Sequence, residues 1–196
     1  MSFDLPILEQ LIHLKLSRMG PRGERRFHHC HSVAKKMLEL AHHHELKLDD
    51  DVIMLTGLIH DYAKYTTMEE FRRLALKYPE INEHLEAPMK TLHALCGPYV
   101  IMEELGITDE AILRAVAYHT TGHPVMDDLG ELVFLSDFTE ENRVGEIHAH
   151  IRTLSEQSIK KAVAWILHDT LEYINQLKQP LHPLTVEAYV AYQQYL

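Results

Sequence analysis

Hydrophobic positions along the chain recur every three to four residues, the spacing of one helix face. Leu8, Leu11, Ile12 and Leu16 mark a first helix. Over 24–44, Phe27, Cys30, Val33, Ala34, Met37, Leu38 and Ala41 form the buried side of a second. Asp49, Asp50 and Asp51 supply the N-terminal cap of a third, which runs to Ala63. Thr67 with Glu70 has the form of a capping box and predicts a fourth. Further helices are predicted over 90–105, 108–119, 129–139, 155–178 and 183–195. Turn signals are short, as in Gly20-Pro21-Arg22-Gly23 and Gly106-Ile107-Thr108-Asp109, and no segment alternates as a half-buried strand does. The expectation is an all-α fold of eight or nine helices forming one domain over 1–196. Its core would lie at 24–145. The stripe Ile159, Val163, Ile166, Leu167, Leu171 and Ile174 within 155–196 would cover that core.

Composition narrows the function. Hydrophobic residues make up 46% and charged residues 24%, an ordinary globular balance. A net charge of −10 argues against a nucleic-acid partner, which needs a basic face. No apolar run approaches the ~18 residues of a membrane span. The opening Met-Ser-Phe-Asp-Leu-Pro lacks the basic start and apolar run of a secretory signal. Two cysteines, Cys30 and Cys96, build neither a disulfide framework nor a thiolate metal site. A cytoplasmic location is expected. The unusual number is 16 histidines, against about four or five for a chain of this length.

Their placement carries the chemistry. His60-Asp61 closes the apolar run Val52–Ile59, where an ionisable pair is costly without a compensating partner such as a cation. His29 lies on the stripe of Arg26, Val33 and Met37. His93 stands one turn before Cys96-Gly97, His119 ends the stripe Ile112, Ala115, Val116, and Asp137 sits within Val133–Phe138. Five predicted helices thus each bring a His or Asp to an inward face. Singly, each reads as a satisfied buried group; their joint occurrence is harder to dismiss and strengthens the metal-site reading of His60-Asp61.

The ordered set Arg26-x-x-His29, His60-Asp61, His93, His119 and Asp137 resembles the HD phosphohydrolase superfamily. Four strings resemble in particular its YqeK family of symmetrical bis(5′-nucleosyl)-tetraphosphatases. They are His60-Asp61-Tyr62-Ala63-Lys64, Leu92-His93-Ala94, Tyr118-His119-Thr120-Thr121-Gly122 and Leu135-Ser136-Asp137-Phe138 running to Asn142-Arg143. The resemblance implies two metal ions, iron with manganese as the alternative. His29, His60, Asp61 and Asp137 would hold one and His93 and His119 the second, with Asp61 bridging. It implies attack of a metal-bound hydroxide on diadenosine tetraphosphate, giving two ADP. Asp61, Lys64 and Arg143 would be the catalytic residues. Lys64, Arg26, Thr120, Thr121, Gly122 and Arg143 would contact the substrate. Other readings of the same site are a hydrolase of other nucleotides or a nucleotide-binding module without turnover. The C-terminal helices offer a homodimer contact.

Departures from the family pattern surround the ligands without touching them. They are His123 where a basic residue is frequent, Glu131 near a lysine position, Glu141 in place of proline, and the added Asp127-Asp128. Elsewhere His168-Asp169 reads as structural, His42-His43-His44 as a solvated helix end, and His148 and His150 as surface residues. Tyr62 and Tyr65 read as half-buried packing, with base stacking the alternative.

Overall fold

The computed structural model describes residues 4–196, and among them it is all-helical. Eleven α-helices follow one another: α1 (Leu5–Ser17), α2 (Pro21–His43), α3 (Asp50–Ile59), α4 (Met68–Ala75), α5 (Met89–Leu95), α6 (Gly97–Leu105), α7 (Glu110–Tyr118), α8 (Asp128–Thr139), α9 (Glu146–Gln157), α10 (Ile159–Gln176) and α11 (Pro183–Tyr192). Short 3₁₀ turns lie at Pro79–Glu83 and Gln193–Tyr195.

Local chemistry sets the boundaries. Asp49 accepts from the backbone N–H groups of Asp51 and Val52 and starts α3. Thr67 and Glu70 cap each other at α4, as their spacing predicts. Asp109, Asp127 and Ser158 start α7, α8 and α10 in the same way. Gly106 closes α6 with a φ of 66°, a conformation open to glycine at no steric cost.

The helix count exceeds the expected eight or nine for two reasons. The 90–105 segment divides at Cys96, because Pro98 lacks an N–H and occupies the first turn of a new helix. The sequence also hides α9, whose buried side is only Ile151, Leu154 and Ser155.

Helix α2 packs against α1, α3 and α8, while α7 covers the other side of α8. The α10–α11 pair lies across α8 and α9. Ile159, Val163, Ile166 and Leu167 of α10 are buried as predicted, but Leu171 and Ile174 are only partly covered. Among the described residues no helix is long and apolar enough to cross a membrane.

Candidate metal centre

Five helices converge on one buried point. His29 comes from the middle of α2, and His60 and Asp61 follow the end of α3. His93 comes from α5, His119 from the end of α7 and Asp137 from α8. All six predicted ligands are brought together. Three interlocking trios have donor atoms within 4.8 Å of one another: His29–His60–Asp61, His60–His119–Asp137 and Asp61–His93–His119. Asp61 belongs to two of them and uses both oxygens. Its Oδ1 lies 2.9 Å from His93 Nε2 and 3.5 Å from His119 Nε2. Its Oδ2 lies 3.6 Å from His60 Nε2 and 3.9 Å from His29 Nε2. Asp137 Oδ1 is 3.1 Å from His29 Nε2.

The outer nitrogen of each imidazole is tied to an acceptor. Nδ1 of His60 donates to the Gly57 carbonyl and Nδ1 of His119 to that of Val116, both at 2.7 Å. His93 Nδ1 faces the Met89 carbonyl at 3.3 Å, and His29 Nδ1 faces the Glu140 carboxylate at 3.2 Å. A proton held at Nδ1 leaves the Nε2 lone pair free for a metal. Burial pushes the His60 pKa down to about 3 and lowers that of His93. Burial works against ionised Asp61, but His60, His119, His93 and Lys64 outweigh it and hold that carboxyl well below the usual range. The surrounding protein likewise opposes the Asp137 charge, and His29, His60 and Arg143 override it.

His29 Nε2, His60 Nε2 and Asp61 Oδ1 are buried without hydrogen-bond partners. Orphaned buried acceptors carry a cost of about 1–3 kcal/mol each, and a bound cation removes it. All-nitrogen-and-oxygen ligation suits iron or manganese. The residues therefore fit a metal centre.

A cavity of about 480 Å³ opens on the centre's outer side and is strongly cationic. Arg26 donates to Asp61 Oδ2 at 2.6 Å, and Arg143 donates to Asp137 Oδ1 at 2.6 Å. Lys64 lies 3.3 Å from Asp61 Oδ1 and 3.1 Å from His93 Nε2. All three line the cavity, together with Arg22, Arg25 and Lys90. The last three were outside the sequence reading. Arg22, Arg25, Arg26 and His29 share the spacing of one helix face, which is the signal that would have found two of them. Glu140 was also missed. It is buried, lies one turn beyond Asp137, and accepts from the Asn142 N–H at 2.7 Å besides facing His29.

The His-Thr-Thr-Gly string divides. Thr120 faces a second cavity, described below. Thr121 is buried, its hydroxyl turned to the Gly122 carbonyl. A side chain at Gly122 would press on Leu167 and Ala188 at 3.1–3.2 Å. These two residues build a core turn.

Tyr62 is buried and donates to Glu104, the packing role its spacing suggests. His42 and His43 are exposed, as a solvated helix end requires, and His43 and the half-buried His44 also reach the Glu156 and Ser155 carbonyls at the end of α9. His148 is half-buried against the Phe138 carbonyl. Glu131 is buried against Lys160 and Tyr192, and Asp127 caps α8, so these departures from the family pattern serve the fold.

Comparison with known proteins agrees with this geometry. Residues 26–142 match the HD domain family. The symmetrical bis(5′-nucleosyl)-tetraphosphatase of Halalkalibacterium halodurans is 32% identical over 85% of this chain and 88% of its own. That of Bacillus subtilis strain 168 is 29% identical over the same shares. A solved HD superfamily hydrolase from Clostridium acetobutylicum superposes over 100% of both chains with a TM-score of 0.82, at 23% identity. The chain belongs to the HD domain family. Within it, the chain belongs with the symmetrical bis(5′-nucleosyl)-tetraphosphatases.

Proposed function

We propose that the protein hydrolyses dinucleoside tetraphosphates, diadenosine tetraphosphate among them, into two nucleoside diphosphates. Its centre would hold two metal ions. His29, His60, Asp61 and Asp137 would bind one, and His93 and His119 the other, with Asp61 shared. The observation that carries the reading is a cluster of unpartnered buried ligand atoms opening onto a cavity lined by six cations. Such a pair of sites suits a polyphosphate, and it resolves how a chain of net charge −10 attracts an anion.

When bound, the metals supply Lewis acidity and lower the pKa of a water. The protein's own groups do the rest. Arg26 and Arg143 offer forked donors to phosphate oxygens, and Lys64 offers a point charge beside Asp61. Glu140 fixes the proton of His29 at Nδ1. Water oxygen bonds to one of the two central phosphorus atoms. The bridging P–O bond between the central phosphates breaks, each half leaves as a diphosphate, and the protons of the attacking water pass to solvent.

The test is anaerobic turnover of diadenosine tetraphosphate with iron or manganese, with products separated by ion-exchange chromatography. Two ADP are expected. ATP with AMP, or no turnover by protein shown to carry metal, would overturn the proposal.

A further inference from the structure

A cavity of about 910 Å³ lies between α5, α8, α9, α10 and α11, within the size range of small-molecule sites. It adjoins the metal centre along the chain. Thr120 follows His119, Phe138 follows Asp137, and Thr91 stands two residues before His93. Lys90 lines both this cavity and the cationic one, so the two are neighbours on either side of that side chain. The cationic cavity suits phosphates. The second cavity is walled by apolar and ring-bearing side chains, including Phe138, Tyr173, Ile174 and Leu181.

The His168-Asp169 pair, which the sequence reads as structural, lies on this wall. Asp169 Oδ2 is buried and has no hydrogen-bond partner. Burial raises the Asp169 carboxyl, in keeping with an acceptor that lacks a donor. A hydrocarbon ligand would leave this oxygen unpaired at a cost. A flat aromatic ligand with an N–H donor satisfies both the wall and the oxygen.

We propose that this cavity is a nucleoside subsite for a purine with an exocyclic amino group, which donates to Asp169 Oδ2. The proposal rests on the dinucleotide reading above: a phosphate chain held at the cationic cavity would place its nucleoside past Thr120 and Phe138.

The test compares two ligands by calorimetric titration of manganese-reconstituted protein. One is ADP; the other is purine riboside 5′-diphosphate, which has the same sugar and phosphates but no amino group. The wild type should bind ADP about tenfold more tightly, the effect of one hydrogen bond to a charged acceptor. Asp169→Ala should bind both ligands with the weaker affinity. Ile174→Trp, which fills the cavity, should weaken both at least tenfold, with circular dichroism confirming that each variant is folded. Equal affinities in the wild type, or ADP binding unmoved by both substitutions, overturn the subsite. Dinucleotide turnover is measured on the same samples. Turnover to two ADP with unmoved ADP binding overturns the subsite and keeps the hydrolase. Asp169-dependent ADP binding without turnover keeps the subsite and overturns the hydrolase.

Discussion

His29 shows what a single residue needs in order to serve at such a centre. Three imidazoles rest their outer nitrogen on backbone carbonyls of their own helix turn, whereas His29 rests on a carboxylate from another segment, Glu140. A carboxylate partner holds the ring and raises its basicity more than a carbonyl does. Glu140→Gln keeps the shape and removes the charge. It should weaken metal affinity about 10–100-fold, the usual cost of losing such a partner, and chelator competition would measure it. Unchanged affinity would show that Glu140 only tethers Asn142. The convergence of the six candidate ligands was legible in the sequence because each is a polar residue on an otherwise apolar helix face. Glu140 was not, because an acidic residue beside Glu141 looks like any solvated helix end. The part played by Thr121 and Gly122 is not legible in the sequence, because a phosphate loop and a buried turn use the same small residues.

At the scale of elements, the α2–α3 contact sets the distance between His29 and the His60-Asp61 pair. Gly57 makes that contact possible. A Cβ there would lie 2.4 Å from Ala34 Cα and 2.7 Å from Ala34 Cβ, which are parts of the backbone and its first side-chain atom and cannot swing aside. Gly57 also provides the carbonyl that holds His60. Gly57→Ala should therefore cost about 3 kcal/mol, at the upper end of ordinary overpacking. That corresponds to a fall in Tm of roughly 6–12 °C for a chain of this size. Thermal unfolding followed by circular dichroism reads it, and a fall under a degree would mean the helices part freely. Periodicity and caps gave most elements, since α3, α4 and α7 begin at residues whose side chains visibly cap them. The division at Cys96 and the whole of α9 stayed hidden. The first depends on a proline inside a run that is otherwise helical throughout. The second buries three residues and presents mostly polar ones.

For the molecule as a whole, charge is uneven. The net charge of −10 repels an anionic substrate at a distance, while Arg22, Arg25, Arg26, Lys64, Lys90 and Arg143 gather around one cavity. Attraction at that cavity is partly exposed to solvent and is screened by salt over roughly 8–10 Å. The KM for a dinucleoside tetraphosphate should rise several-fold between low and physiological ionic strength, with kcat little changed. A KM independent of salt would remove the cationic cavity from substrate capture. The net charge, read from composition alone, could not reveal this local reversal, because the cations come from four separate segments that only the fold unites.

Six side chains from five helices would form one two-metal centre with Asp61 at its middle. Metal-free protein titrated with manganese, with bound metal counted per chain and diadenosine tetraphosphate turnover followed on the same samples, tests it most directly. Turnover should rise as the metal content passes one per chain and level off at two, and Asp61→Ala should hold neither metal nor activity. Full turnover at one metal per chain, or in protein stripped by chelator, would contradict the account.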